Sequence, residues 1–178
     1  MNEQSLILKA KAGVTSCFSQ LVLLYQTRLF QYLLARCQSS YDAEDVLQET
    51  FISAYKYINS YKPQWQFSTW LFTIANRLIK NQHSIYYKTY QITDNPLASE
   101  MDTNLFDRDN IWNQLKYVLK AEAYDVIWFF YIEELSYKEI AKILKRSQSW
   151  VKISLFRSKK KLAQNKKIKN LLNDFLYE

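Results

Sequence analysis

Turn-forming residues are scarce in this chain, which has one glycine and two prolines among its 178 residues. The stretches between them are rich in Leu, Ile, Lys, Gln, Glu and Ala, which favour helices. A many-stranded β fold needs frequent turns, and glycine and proline are the usual turn formers. The sequence therefore predicts an all-α fold.

Apolar residues in the first half of the chain recur at steps of three and four, the spacing of amphipathic helices. They predict a first helical module over residues 1–88, with a loop at residues 59–66 around Pro63. Its helices are expected at about residues 15–36, 41–58 and 67–87, with Asp42 as the N-cap of the second.

The helical periodicity fails between residues 89 and 108, where Asp, Asn, Ser and Pro96 accumulate. This composition predicts a flexible linker between two modules. The second module is expected over residues 109–178. Its helices are predicted at about residues 110–119, 121–133, 136–144 and 147–161, with an extension towards Leu176.

Positive charge is concentrated in the second module. The net charge of +7 and the sequence pI near 9.2 favour a polyanionic partner, although both values also fit proteins of the membrane surface and ordinary soluble proteins. Twelve Lys and Arg residues lie between Ser136 and Lys169, against the single acid Glu139. A lone run of charge is usually a solvated helix face. It indicates DNA binding only where the same segment also has the spacing of a DNA-binding motif.

That basic segment has the spacing of a helix-turn-helix. Ser136 and Glu139 predict a capping box at the start of its first helix, and Val151 is an inward position of its second. The turn at residues 145–147 lacks the usual glycine, which is tolerable if its residues avoid a left-handed conformation. The motif and the charge together predict DNA binding.

The second helix of this motif is expected to contact base edges near its start and phosphates further along. Phosphate contacts release counterions and give affinity without sequence information. The predicted DNA-contacting residues are Ser147, Gln148, Ser149, Trp150, Lys152, Ile153, Arg157, Lys159 and Lys160, with Lys161 as a further phosphate contact.

An acidic stretch stands out in this basic chain. Residues 41–55 contain Asp42, Glu44, Asp45 and Glu49 and no Lys or Arg. The helix dipole favours acids in the first turn, which explains the first three better than Glu49. A metal site is disfavoured because the glycine and spacing of a calcium loop are missing and no His or Cys joins the acids.

Catalysis, metals and cofactors are not expected. Cys17 and Cys37 lie in apolar helical patterns, which favours buried reduced thiols and a cytoplasmic protein. His83, the one histidine, has no neighbours that form a triad or a zinc site. No stretch approaches the roughly 20 apolar residues of a spanning helix, and residues 1–11 lack a cleavable signal pattern.

Two segments together resemble the sigma-70 family of bacterial RNA polymerase sigma factors, specifically its extracytoplasmic-function (ECF) group. The run DAEDVLQETF at residues 42–51 and the run FSTWLFTIA at residues 67–75 resemble region 2 of that group. The run LSYKEIA at residues 135–141 is similar to region 4, as are the positions that follow it: Ser147, Val151, Lys152, Leu155, Arg157 and Leu162.

The resemblance implies a sigma factor that binds core RNA polymerase at its clamp and flap regions, recognises promoter DNA and promotes strand opening, without being an enzyme. It implies that the acidic helix docks against a coiled coil of the clamp. An anti-sigma factor is a further expected partner. The residues assigned to polymerase binding are Asp42, Glu44, Asp45, Gln48 and Glu49.

The resemblance also implies that the loop and helix after the acidic helix capture the non-template strand of the minus-ten element. Aromatic rings stack on unpaired bases at about 1–3 kcal/mol per base. Core packing is the simpler interpretation for Phe67 and Trp70, whereas Trp65 in the loop is the better stacking residue. The residues assigned here are Lys62, Trp65, Phe67, Trp70, Arg77, Lys80 and Asn81.

Region 4 of the family reads the minus-thirty-five element, which assigns the predicted helix-turn-helix contacts to that DNA. The chain departs from the family pattern at Arg77 in the region 2 helix. In region 4 it departs at the pairs Leu119–Lys120 and Ser149–Trp150, so its minus-thirty-five preference does not follow from the resemblance. Three other interpretations remain open: a stand-alone helix-turn-helix regulator that binds duplex DNA without polymerase, a metal-dependent nuclease, and a cationic membrane adaptor.

Overall fold

The computed structural model describes residues 2–90 and 111–165. All regular secondary structure in these two stretches is helical. The chain divides into two compact units, residues 1–101 and 102–178. The prediction of an all-α fold built from two helical modules is therefore confirmed.

The first unit is a bundle in which α2 packs against α1 and α3, and α3 packs against α4. Its core contains the fully buried rings of Tyr32 and Phe72, which meet edge to face at 5.4 Å between centroids. The elements are α1 (Glu3–Lys11), α2 (Thr15–Arg36), α3 (Ser40–Lys56), a 3-10 turn (Ile58–Ser60) and α4 (Phe67–Tyr90).

Helix α1 is absent from the sequence-based prediction. The side chain of Asn2 caps it by accepting a hydrogen bond from the Ser5 amide at 2.9 Å. Leu6, Ile7 and Ala10 are buried on one side of the helix. The cap and this spacing were the available signals, but the segment is too short for periodicity alone to identify it.

The start of α3 corrects the predicted cap. Ser39 is the N-cap: its Oγ accepts a hydrogen bond from the Asp42 amide at 3.0 Å and donates to Asp42 Oδ2 at 2.8 Å. Asp42 is therefore the third residue of the helix and supports its start.

The end of α4 corrects the predicted start of the linker. Thr89 and Tyr90, which the sequence assigned to the linker, belong to α4. The predicted linker positions 91–108 lie outside the described residues.

The second unit contains the helix-turn-helix. Its last helix packs against the two before it, with Val151 and Leu162 fully buried. The predicted extension towards Leu176 lies outside the described residues. The elements are α5 (Ile111–Val118), α6 (Ala121–Tyr131), α7 (Tyr137–Leu144) and α8 (Gln148–Gln164).

The turn between α7 and α8 differs from expectation. The capping box of Ser136 and Glu139 at the start of α7 is present as predicted. Lys145, however, caps the end of α7 in a left-handed conformation, with φ 55° and ψ 48°. A left-handed residue with a Cβ costs about 1–2 kcal/mol, offset here by bonds such as that from the Arg146 amide to the Ala141 carbonyl at 2.9 Å.

The two cysteines are free thiols, Cys17 buried and Cys37 half-buried at the end of α2. Burial, with a smaller contribution from Asp42, raises the pKa of Cys37 to about 12, and Arg36 opposes this shift. The thiol is therefore protonated at neutral pH. None of the helices in the described stretches is both long and apolar enough to cross a bilayer.

Candidate nucleic-acid interface

Helix α8 presents a basic surface on the second unit. Ser147 caps the helix by accepting a hydrogen bond from the Trp150 amide at 3.1 Å. The helix sequence contains five Lys and Arg residues and no acid. We call its outward side the recognition face; its exposed side chains are those of Ser149, Lys152, Ile153, Phe156, Arg157 and Lys160.

Trp150 is held within the unit rather than projecting freely from it. Its side chain is half-buried, and the guanidinium of Arg146 lies 5.2 Å from the ring centroid. The same guanidinium donates to both carboxylate oxygens of Glu122, at 3.1 and 2.9 Å. This cluster fixes the start of α8 to α6.

Three lysines of α8 are oriented by neighbouring groups. The ammonium of Lys152 lies 5.5 Å from the Tyr137 ring centroid, and that of Lys159 lies 5.9 Å from the Tyr131 ring centroid. The Lys161 ammonium donates to the Val118 carbonyl at the end of α5. Such contacts reduce the side-chain entropy that a phosphate contact would otherwise cost.

Phe156 is a surface residue that the sequence analysis missed. Its side chain is 69% exposed, one turn beyond Ile153, which is 51% exposed. An aromatic residue at helical spacing usually belongs to the core, so the sequence pattern did not indicate that Phe156 is exposed. The recognition face therefore combines positive charge with two apolar side chains.

Helix α3 presents an acidic surface on the first unit. We call its exposed polar residues Glu44, Asp45, Gln48 and Glu49 the acidic face. The Ser53 hydroxyl donates to Glu49 Oε1 at 3.3 Å and orients that carboxylate.

Exposed apolar side chains flank the acidic face, and sequence reasoning did not assign them to a surface. They belong to Tyr41, Ile52 and Tyr55. At 3.6 residues per turn, positions 41, 45, 48, 52 and 55 follow one side of the helix.

The aromatic loop, which we define as residues 61–66 together with the first turn of α4 up to Trp70, combines buried and partly exposed rings. Phe67 is 2% exposed, and its ring lies 5.4 Å from each of the rings of Tyr25, Tyr61 and Trp70. The Phe67 ring is therefore covered by these neighbouring rings. Trp65 and Trp70 are half-buried and keep part of their surface in solvent.

Tyr61, at the start of the aromatic loop, holds the loop backbone in place. Its hydroxyl donates to the Trp65 carbonyl at 2.8 Å. Burial, followed by the nearby Glu3 carboxylate, raises the pKa of Tyr61, so this donor keeps its proton well beyond neutral pH. The Lys11 ammonium donates to the Tyr61 carbonyl at 2.7 Å, which ties α1 to the loop.

Exposed polar residues follow the half-buried Trp70 along α4. Trp70, Arg77 and Asn81 are spaced at i, i+7 and i+11, which places them on one side of the helix. Lys62 in the loop and Lys80 on α4 are also exposed. The predicted minus-ten residues other than Phe67 thus lie at least partly in solvent.

No group of three or more His, Cys, Asp and Glu side chains comes together within the stretches that the structure describes. The side chain of His83 lies outside the described residues.

Comparison with known protein families matches both units. A family model of Sigma-70 region 2 matches residues 21–84, and a model of Sigma-70 region 4 matches residues 119–162. Together they span more than half of the chain, in the order of the two units. The chain belongs to the sigma-70 family of RNA polymerase sigma factors. Region 2 thus contains the acidic face and the aromatic loop, and region 4 contains the recognition face.

Sequence relatives place the chain in the ECF group of that family. It is 29% identical over 173 residues to the ECF RNA polymerase sigma factor SigW of Bacillus subtilis, covering 88% of this chain and 92% of SigW. It is also 29% identical over 190 residues to the ECF RNA polymerase sigma-E factor of Haemophilus influenzae, with 93% and 95% covered.

Solved structures share the fold. The sigma factor RpoE of Bartonella quintana, determined in complex with the anti-sigma factor NepR, matches with a TM-score of 0.69 and 20% identity over 83% of this chain and 94% of RpoE. CnrH, in complex with the cytosolic domain of CnrY, matches with a TM-score of 0.65 and 20% identity over 97% of each chain.

Proposed function

We propose that this sigma factor binds core RNA polymerase through the acidic face of region 2 and selects promoters through the aromatic loop and the recognition face. The observation that carries this proposal is the pair of oppositely charged exposed surfaces on separate units, α3 and α8. One chain thereby offers one surface to a protein and another to DNA. Catalysis of RNA synthesis would belong to the polymerase, and the chain would act in the cytoplasm.

In this proposal the acidic face supplies the contacts to the polymerase clamp. Asp45, Gln48 and Glu49 are solvent-exposed and follow neighbouring turns of α3. Asp42, tied to Ser39, supports the start of the helix and adds to the negative field. Opposite charges across such an interface speed association and fix its register more than they raise affinity.

The aromatic loop would hold the opened minus-ten strand. Trp65 and Trp70 have ring surface available for stacking, while the buried Phe67 would act as the packed support beneath Trp70. Unpaired bases lose stacking within the duplex, and an aromatic platform replaces it. Phosphate contacts would come from Lys62, Arg77 and Lys80, with Asn81 as a further polar contact.

The recognition face would enter the major groove of the minus-thirty-five element. Ser149, Lys152 and Ile153 lie near the start of α8, where recognition helices approach base edges. Arg157 and Lys160 follow, with Lys159 beside them, and would neutralise phosphates. Ser147 and Trp150 would shape the start of the helix, and the exposed Gln148 would reach DNA from there.

The segment 91–108 would tether the two regions. Two modest interfaces joined by a tether gain effective concentration, so neither needs high affinity alone. Promoter binding by the free chain is then expected to be weak. An anti-sigma factor is a proposed further partner, supported by the RpoE structure, which was determined with one.

The test is reconstitution with a sigma-free bacterial core polymerase. We expect the wild-type chain to co-elute with core and to direct transcription from selected promoters. The variants Asp45→Lys and Glu49→Lys should each lose core association while retaining helical circular dichroism. Glu134→Lys, an equal reversal at an exposed acid of region 4, serves as the matched control and should bind core normally.

Two results would contradict the proposal. One is a wild-type chain that never associates with core. The other is specific promoter recognition by the chain alone that core leaves unchanged, which would indicate a stand-alone regulator.

A further inference from the structure

The apolar side chain of Ile153 lies at the centre of the recognition face. Positions 149, 153, 156 and 160 fall within an arc of about 60° around α8. Ile153 is 51% exposed in the structure and Phe156, one turn further, is 69% exposed. The opposite side of the helix carries the buried Val151, Leu155 and Leu162, so core packing does not account for Ile153.

The surroundings of Ile153 identify the kind of ligand that covers it. Lys152 precedes it, Arg157 lies one turn further, and Lys160 follows two turns further along, all exposed. A cationic rim around an apolar centre is complementary to a polyanion that carries apolar groups, and duplex DNA is such a ligand. A lipid surface would require a broad apolar stripe, whereas Ile153 and Phe156 are the exposed large apolar side chains of this helix.

Within the major groove, only one base presents an apolar group at its edge, the C5 methyl of thymine. We infer that Ile153 contacts a thymine methyl group and thereby makes this sigma factor prefer thymine at one position of its upstream promoter element. This inference rests on the proposed function of the recognition face and deepens it. It concerns a residue that supplies specificity, while the neighbouring cations supply affinity.

The size of the effect follows from the area that a methyl group buries. Removing one buried methyl from the interface lowers affinity by about fourfold. Arg and Lys contacts to phosphates are unaffected by the identity of the base, so the remaining affinity should persist.

The experiment uses the reconstituted holoenzyme. Promoter duplexes are selected from a random library, and the segment protected by region 4 is resynthesised with deoxyuridine in place of thymidine, one position at a time. Deoxyuridine lacks only the methyl group. We expect one position at which the wild-type holoenzyme binds the deoxyuridine duplex about fourfold more weakly, and we expect Ile153→Ala to bind both duplexes equally.

Matched variants separate this inference from alternatives. Leu23→Ala removes a side chain of similar exposure, 67%, from α2 and should keep the full methyl discrimination. The inference is overturned if wild type ignores every methyl, if Ile153→Ala discriminates as wild type does, or if only Phe156→Ala loses discrimination. In those cases promoter selection by the holoenzyme still supports the sigma function. Absence of any core-dependent selection would overturn both.

Discussion

The guanidinium of Arg146 donates to both carboxylate oxygens of Glu122, at 3.1 and 2.9 Å, and joins the start of α6 to the turn of the helix-turn-helix. The two side chains are 47% and 33% exposed. A pair this exposed is screened by water and salt, so its geometry matters more for orientation than for stability. Arg146 at the same time covers the Trp150 ring, so the ion pair sets the position of the first turn of α8.

Removing the charge of Glu122 should therefore have a small, salt-dependent effect. We expect Glu122→Gln to lower the free energy of unfolding of the second unit by no more than about 1 kcal/mol, and by less at high ionic strength. Urea denaturation at low and high salt, followed by hydrogen exchange of peptides within residues 111–165, measures this. Glu134→Gln is the matched control. A loss above about 2 kcal/mol at high salt would contradict this view of the pair.

The left-handed turn residue offers a way to stabilise region 4. Glycine adopts φ 55° without the steric cost that Lys145 bears. Lys145→Gly should therefore raise the free energy of unfolding by about 0.5–1 kcal/mol, the relief of strain being partly cancelled by the greater chain entropy of glycine. Lys142→Gly, inside α7, should instead destabilise by about 1 kcal/mol. Chemical denaturation compares the two, and destabilisation by both would show that Lys145 is not strained.

Removal of cations from the recognition face should weaken promoter binding and leave polymerase binding unchanged. We expect the double variant Lys152→Ala and Arg157→Ala to co-elute with core as wild type does, while its holoenzyme loses promoter affinity. If both residues contact phosphates, the slope of log affinity against log salt falls by about 2. Lys9→Ala, which removes an exposed lysine of α1, should leave the slope unchanged. An unchanged slope in the double variant would place both cations away from the DNA phosphates.

Two rings of the aromatic loop should have different roles, Trp65 in strand opening and Phe67 in stabilising the fold. Trp65→Ala should keep the fold yet reduce strand opening, measured as permanganate reactivity of promoter thymines in the holoenzyme complex. Phe67→Ala should destabilise the first unit by about 3–5 kcal/mol, because it empties a site packed by three other rings. Wild-type opening by Trp65→Ala, or wild-type stability of Phe67→Ala, would reverse these assignments.

Cys37 should resist alkylation until the pH is high. Its raised pKa of about 12 means that the folded chain keeps the thiol proton, whereas the unfolded thiol titrates near 9.0. The stabilising contribution is complete below pH 9 and is lost as the pH rises through about 12. At pH 9 iodoacetamide should modify Cys37 at least about a hundredfold more slowly in the folded than in the urea-unfolded chain. Peptide mass spectrometry measures the rates, and similar rates would contradict the shift.

Local sequence determined most of the helices because apolar periodicity and caps act over a few neighbouring residues. The prediction of α2 over residues 15–36 coincides with the structure, and the capping box of Ser136 and Glu139 forms as expected. Where several caps compete locally the prediction failed: Ser39 and Asp42 both suit an N-cap, and their mutual hydrogen bonds decide in favour of Ser39.

Which apolar side chains are exposed depended on tertiary structure. Phe67 and Phe156 both lie in helical apolar patterns, yet Phe67 is 2% exposed and Phe156 is 69% exposed. Sequence periodicity gives each helix an inward side but does not show where the neighbouring helices leave that side uncovered. Charge patterning identified the acidic and basic helices, because charge is a property of composition. Which of their apolar side chains reach solvent was decided only by packing, since burial depends on contacts between segments that are distant in the chain.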